Sequence, residues 1–368
     1  MLVLLQKMAL HFQQEIPFVA YRKPGESNVK ALLQKTEKHF STTDFSEKGF
    51  VFAPFSSSNS ALLIPFSEAE SVEAVFEPTE LDGNYLPRKK PRAKEKKHHL
   101  ELVKKGIAAI KTGKLQKVVL ARQHSVEFPE HDPWLIFQRL LEKYPSAFVY
   151  AWFHPESGLW MGATPENLLH IESNYLKTVS LAGTRKNMGG DEVIWLEKEK
   201  KEQSLVTDFI LEKLLPKLES VNISEPRTSE AGNLWHLKTY ISGKLIENNT
   251  KKIIESLHPT PAVCGLPRNE ARNFILKNEN FDRQFYTGFL GELNLDTKKE
   301  RSPNNRNQEN KAYISIKPVI DLYVNLRCMK FHQNAAQIFA GGGITEESDP
   351  ESEWEETLSK IETMAQVL

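Results

Sequence analysis

The sequence predicts an α+β fold with antiparallel sheets. Two observations carry this: runs of strand-like segments follow one another over short connections, and two neighbouring strands flank a polar insert as the arms of a hairpin. A doubly wound parallel sheet would instead alternate each strand with a long helix.

Taken in order, residues 1 to about 85 mix short apolar runs with turn residues. Phe50-Val-Phe-Ala-Pro-Phe55 and Ala61-Leu-Leu-Ile-Pro-Phe66 read as strands ended by prolines, with a Ser-rich turn between them. No catalytic constellation occurs here. The basic stretch Arg88 to His99 reads either as a nucleic-acid patch or as a solvated lead into a helix over His99–Thr112. The absence of interleaved aromatics removes the usual support for stacking on bases. Strand-like segments follow at Leu115–Phe128, Ala147–Phe153, Leu159–Ala163, Leu168–Ile171 and Leu176–Leu181. A long helix is expected from Asp191 to Leu215, stopped by Pro216. Strands Phe285–Leu295 and Ala312–Met329 flank the insert Thr297–Lys311, and a last helix runs from about Pro350 to Val367.

Composition narrows the class. The 368 residues are 40% hydrophobic and 26% charged, ordinary for a globular chain, and suit one large domain or two modest ones. The formal net charge is zero, so no global field draws the chain to nucleic acid or an anionic membrane. Two cysteines, Cys264 and Cys328, exclude a disulfide framework and offer no metal spacing. The apolar start, Met1 to Leu10, is broken by Gln6 and Lys7 and lacks a signal-peptide core, so a cytoplasmic protein is expected.

Several segments carry candidate chemistry. Lys117 opens the apolar strand Lys117-Val-Val-Leu-Ala-Arg122. Desolvation there disfavours the ammonium form and can make a lysine a general base; the plain alternative is a side chain snorkelling from a strand end. In Gly162-Ala-Thr-Pro-Glu166, Thr164 and Pro165 read as a helix start with Glu166 in its first turn, or Glu166 is an acid aimed into a cleft. Glu202 lies in the charged run of the long helix, and Glu353 and Glu356, three apart, share one face of the last helix. These are surface ion pairs, with Lys360 partnering Glu356, or carboxylates meeting at a hard divalent cation. Phe339-Ala-Gly-Gly-Gly-Ile344 joins a strand to the final helical region and offers backbone amides to an anion; it is neither a Walker loop nor a dinucleotide fingerprint. Arg327, read as lying within an apolar strand, needs an anionic partner, structural or substrate.

Together these motifs resemble the chorismate-utilising enzymes. The ordered set is Lys117–Arg122, Gly162–Glu166, Leu181-Ala-Gly-Thr-Arg185, Leu257-His-Pro-Thr-Pro-Ala262, Phe281-Asp-Arg283, Asn325–Cys328, Phe339–Ile344 and the tail Glu353-Trp-Glu-Glu-Thr357. The resemblance covers roughly residues 95 to 365, leaving 1–94 as a divergent amino-terminal part of the same fold and 95–368 as the catalytic region. It implies large antiparallel sheets packed together with helices outside and a deep cleft between them. Within the family it is similar to the isochorismate synthase branch, of menaquinone or siderophore type. Lysine at 117 is that of the water-using enzymes, where ammonia-using ones typically carry glutamine, and Ala182 stands where aminodeoxychorismate synthases typically place a nucleophilic lysine. The salicylate and anthranilate branches are the alternatives, and a non-catalytic acid-binding relative the remote one.

The resemblance implies Mg²⁺ held by Glu202 and Glu356 with Glu353 near or bridged through water, and Lys117 and Glu166 as base and acid. It implies substrate contacts from Gly183, Thr184, His258, Thr260, Tyr286, Arg327, the amides around Gly341, and Lys360. Expected partners are the small molecule chorismate, with no nucleic acid and no membrane, and a monomer is the default. No nicotinamide or flavin is needed.

Overall fold

The computed structural model describes residues 1–56, 60–78, 93–127, 132–186, 193–231, 234–299, 315–332 and 335–368. In chain order these form α1 (Leu2–Gln13), β1 (Phe18–Arg22), β2 (Asn28–Gln34), β3 (Ser41–Thr42), β4 (Gly49–Ala53), β5 (Ala61–Pro65), β6 (Ala69–Val75), α2 (Ala93–Lys111), β7 (Lys117–Glu127) and α3 (Pro133–Lys143). Next come β8 (Phe148–His154), β9 (Gly158–Thr164), β10 (Asn167–Glu172), β11 (Tyr175–Lys186), α4 (Glu197–Leu214), β12 (Leu218–Ile223), β13 (Arg227–Ala231) and β14 (Leu234–Leu245). The chain ends with α5 (Thr250–Leu257), β15 (Gly265–Leu266), α6 (Arg268–Asn278), β16 (Phe289–Lys299), β17 (Ser315–Val324), β18 (Cys328–His332), β19 (Ala335–Ile344) and α7 (Pro350–Ala365).

Two antiparallel sheets result, as the sequence predicts. The first has nine strands in the order β15-β7-β19-β18-β9-β8-β1-β2-β6. The second has ten: β12-β14-β11-β10-β17-β16-β4-β5-β3, with β13 pairing β14. The first 78 residues give strands to both sheets, β1, β2 and β6 to one and β3 to β5 to the other.

The period-two alternation of strands explains the layering. In β8, Phe148, Tyr150 and Trp152 point into the core between the sheets, while Val149, Ala151 and Phe153 point outward under α1, α3 and α7. Both faces are covered, so every residue of β8 is buried and the run reads as continuously apolar. The strand β1 divides the same way, with Val19 and Tyr21 inward and Phe18 and Ala20 outward. Helices α4 and α5 cover the second sheet through Val206, Phe209, Ile253 and Ile254. A further cluster buries Val118 and Leu120 of β7 with Leu102 of α2 and Ile275 of α6.

Several sequence expectations shift. The run read as one strand over Ala312–Met329 is two, β17 in the second sheet and β18 in the first, with Asn325–Arg327 crossing between them. An unbroken apolar run hides such a crossing because both strands are buried. The strands β16 and β17 do pair as a hairpin, but residues 300–311 of the polar insert, and 312–314 after it, lie outside the described residues. The long helix begins at Glu197, where the Glu199 carboxylate accepts from the Leu196 N–H at 2.9 Å; residues 191–192 are not described. Of the basic stretch, residues 88–92 are not described and 93–99 belong to α2. No helix among the described residues is long and apolar enough to cross a membrane.

Candidate active site

Lys117 is the first residue of β7. Alternation puts it on the same face as Val119 and Ala121, opposite the face that Val118 and Leu120 bury under α2 and α6. That face looks into a pocket lined by Val119, Glu166, Glu202, Arg327, Gly341 and Lys360, among others. Lys117 is fully buried, and its Nζ lies 2.9 Å from Glu202 Oε1 without the directionality of a hydrogen bond. The register of β7 is locked from outside: the buried Arg283–Glu279 pair, at 2.5 Å, donates to Val119 O and accepts from Ala121 N.

The glycines of β19 lie inside a strand, which corrects their reading as a link into the last helix. Gly341 pairs with Ala121 and Gly343 with Val119, so both face the pocket, and Gly342 faces α7. Their value is space. A Cβ at Gly343 would lie 2.3 Å from Glu202 Oε1 and 3.0 Å from Lys117 Cε. One at Gly342 would lie 3.1 Å from Glu353 Oε2 and 3.8 Å from Glu356 Oε1. The Gly341 carbonyl accepts from Lys360 Nζ at 2.8 Å, and Lys360 also pairs with Glu356 at 2.6 Å.

The three glutamates therefore converge from two helices. The Asp349 side chain caps α7 by accepting from Ser352 N, and Pro350 opens it, which sets Glu353 and Glu356 on the inner face. Glu353 is buried; its Oε1 takes Ser348 Oγ at 2.6 Å and Lys198 Nζ at 3.0 Å, while Oε2 has no partner. Burial, and then Glu356, raise the pKa of Glu353. Burial opposes the charge on Lys198, but Glu353, Glu356 and Glu202 outweigh it and raise its pKa. These carboxylates, one with an orphaned oxygen, are the oxygen donors a hard divalent cation takes; here they are gathered around Lys198, without three ligand atoms within 4.8 Å of one another.

Glu166 does not start a helix. It lies in the two-residue connection from β9 to β10, where Thr164 Oγ1 donates to Val324 O rather than capping a helix. The residue is 4% exposed, and burial pushes its pKa up to about 8 against the partial opposition of Lys117, Lys238 and Lys360. The group is protonated at neutral pH.

Arg327 is likewise not in a strand. It has φ 49° in the crossing between the sheets, a left-handed conformation that turns its side chain into the pocket. Burial lowers its pKa. Its guanidinium donates to Thr363 Oγ1 and to His236 Nε2, each at 3.3 Å, and among the described residues it makes no ion pair. Tyr286, Gly183 and Thr184 also line the pocket. Burial raises the Tyr286 phenol, and φ 70° at Gly183 requires a left-handed backbone.

Lys117, Glu353 and Glu356 stand behind the lining, reaching it through Glu202 and Lys360, whereas His258 and Thr260 belong to another part of the fold and do not line this pocket. His258 faces a neighbouring cleft beside Arg268 and Phe289, with Nε2 3.0 Å from Thr287 O. Thr260 is buried, and its carbonyl accepts from Val263 N and Cys264 N in the turn that delivers Ala262 and Val263 to the pocket.

Sequence reasoning missed His236 and Lys198. Burial, aided by Arg327 and Lys360, lowers His236 to about 3, so the ring is neutral. Its Nδ1–H donates to Gly183 O at 3.0 Å, which leaves Nε2 to accept from Arg327. The start of β14, with Leu234 and His236 buried on either side of the half-buried Trp235, was the available signal.

The model of the family described as chorismate binding enzyme matches residues 65–301, and a second chorismate binding enzyme model matches 312–366. The chain belongs to the chorismate-binding enzyme family. Among its relatives, isochorismate synthase EntC of Escherichia coli is 28% identical over 73% of this chain and 66% of its own length. Isochorismate synthase MenF of Pasteurella multocida is 32% identical over 72% of this chain and 60% of its own. The matched region thus spans less than two thirds of these relatives. The solved structure of MenF, the menaquinone-specific isochorismate synthase of E. coli, shares the fold with a TM-score of 0.76 at 21% identity, covering 96% of this chain and 89% of that one.

Proposed function

We propose that the protein is an isochorismate synthase, converting chorismate to isochorismate in the pocket between the sheets. The observation that carries this reading is a pocket holding Glu166, whose carboxyl keeps its proton to about pH 8, and Arg327, which makes no ion pair among the described residues, with the buried Lys117 paired to Glu202 of the pocket lining. A base and a proton-bearing acid at one site are what a displacement of one hydroxyl by another requires.

In this reading Lys117 takes a proton from water as the oxygen attacks ring carbon 2. The ring double bonds shift, and the carbon 4 hydroxyl leaves as water with the proton of Glu166. One water enters and one departs, with no net redox change. The reverse reaction uses the same groups in opposite senses. Arg327, oriented by neutral His236, and Tyr286 would hold the enolpyruvyl carboxylate with the amides around Gly341. Lys360 and the Gly183–Thr184 turn would complete the anion pocket.

Glu202, Glu353 and Glu356 are the residues that would hold Mg²⁺, and the orphaned Glu353 Oε2 is the feature that fits them to it. When bound, the ion neutralises carboxylate charge and fixes the substrate's ring carboxylate. Residues 1–94 serve as the amino-terminal part of the same fold, and residues 95–368 as its catalytic region. Lysine rather than glutamine at 117 and alanine at 182 favour water over ammonia as the nucleophile.

Purified protein given chorismate and Mg²⁺ tests the assignment by product NMR. Isochorismate as main product supports it, anthranilate or an aminated chorismate overturns it, and salicylate with pyruvate moves it to the lyase branch.

A further inference from the structure

One group of side chains takes no part in this chemistry. His39 lies on the segment between β2 and β3, where the chain passes from the first sheet to the second. His154 ends β8, and Glu156 stands in the turn to β9. One ligand atom from each lies within 4.8 Å of the others. His39 Nδ1 is 2.6 Å from Glu156 Oε1, and the two imidazoles meet edge-on with centroids 4.9 Å apart.

We propose that His39, His154 and Glu156 form a second metal site, for a divalent ion of the zinc, cobalt or nickel class. Two imidazoles and one carboxylate are a borderline donor set that suits these ions, unlike the all-carboxylate group at the pocket, which suits a hard cation. His154 is prepared as a ligand. It is fully buried, and the Glu156 backbone N–H donates to its Nδ1 at 3.2 Å. That contact places the ring proton on Nε2, which is buried without a partner, and leaves the lone pair on Nδ1 beside Glu156. The ion has only one long hydrogen bond to displace at this ring.

An exposed His39–Glu156 ion pair alone would be worth little, and it would give no role to the third, buried ring. Three protein donors leave a further coordination position open to water on the side of the cleft lined by Phe40, Asp282, Gln284 and Lys330. An ion there ties the sheet-crossing segment to the β8–β9 hairpin and stabilises the folded state by mass action.

The test uses the intact protein, stripped of metal by a chelator and dialysed into excess Mg²⁺. Zn²⁺ binding is then followed by calorimetry and thermal unfolding, and Co²⁺ binding by visible absorption. One equivalent is expected to bind and to raise the unfolding temperature. His39→Ala and Glu156→Gln alter side chains that are 50% and 55% exposed, so both variants should fold. Each should weaken Zn²⁺ binding roughly tenfold or more and remove the thermal shift, with chorismate turnover unchanged. Zn²⁺ affinity equal to wild type in both variants, or no binding at millimolar metal, would overturn the site.

Discussion

Replacing Glu166 by glutamine should destroy activity and stabilise the fold, and the size of the second effect follows from the buried carboxyl. Its pKa is raised from 4.5 to about 8 in the folded state, with burial as the main cause. A group raised in this way adds stability that is complete below the unfolded pKa and is lost as pH rises through the folded one. Between pH 4.5 and 8 the unfolded chain releases this proton and the folded chain does not, so stability falls by about 1.4 kcal/mol per pH unit. At pH 7 the accumulated penalty is about 3 kcal/mol, on the order of 4 °C in unfolding temperature for a chain of this length. Glutamine keeps the shape and cannot ionise. A buried amide without ideal partners costs about 1–3 kcal/mol of its own, so the slope against pH is the diagnostic quantity rather than the offset. Thermal unfolding of wild type and Glu166→Gln from pH 5 to 8.5 should therefore give lines that diverge in favour of the variant. Parallel lines would refute the buried, protonated carboxyl. Turnover in the variant should fall by roughly 10²-fold or more, and wild-type kcat/KM should decline above about pH 8 as the acid ionises.

Three further outcomes follow from the same geometry. Lys117→Ala should lose roughly 10²-fold or more in turnover while calorimetry still registers chorismate binding, because Arg327 and the carboxylates remain. Glu202→Ala and Glu356→Ala should each raise the Mg²⁺ concentration needed for half-maximal rate with the fold intact by circular dichroism; full activity of both at limiting Mg²⁺ would remove the metal assignment. Gly343→Ala places a Cβ 2.3 Å from Glu202 Oε1 and 3.0 Å from Lys117 Cε, forcing both side chains to shift, so turnover and Mg²⁺ dependence should both worsen, measured by the same titration.

Much of the fold was legible because buried strands announce themselves. Lys117–Arg122 reads as a strand from its β-branched apolar run, and the last helix, read from about Pro350, does start there, behind an Asp349 cap. The site was legible as residue types but not as geometry. Arg327 was read into a strand because the apolar run continues through the point where the chain changes sheets, and nothing local announces a positive φ at an arginine. Glu166 was open to reading as a helix start because Thr-Pro-Glu has the composition of an N-terminus; only the packing of β10 against β17 makes it a connection with a buried acid. His236 went unnoticed because its role rests on Gly183 and Arg327, some 53 and 91 residues away. The motif holding His258 and Thr260 marks a turn that shapes the pocket wall, and sequence cannot separate that from direct contact with a ligand.

The most direct test of water attack driven by Lys117 and Glu166 is turnover of chorismate in H₂¹⁸O with Mg²⁺ and ammonium both present, sampled early and read by mass spectrometry and NMR. The account predicts isochorismate carrying one ¹⁸O, at carbon 2, and no nitrogen-containing product. Unlabelled isochorismate, or an aminated product, would contradict it.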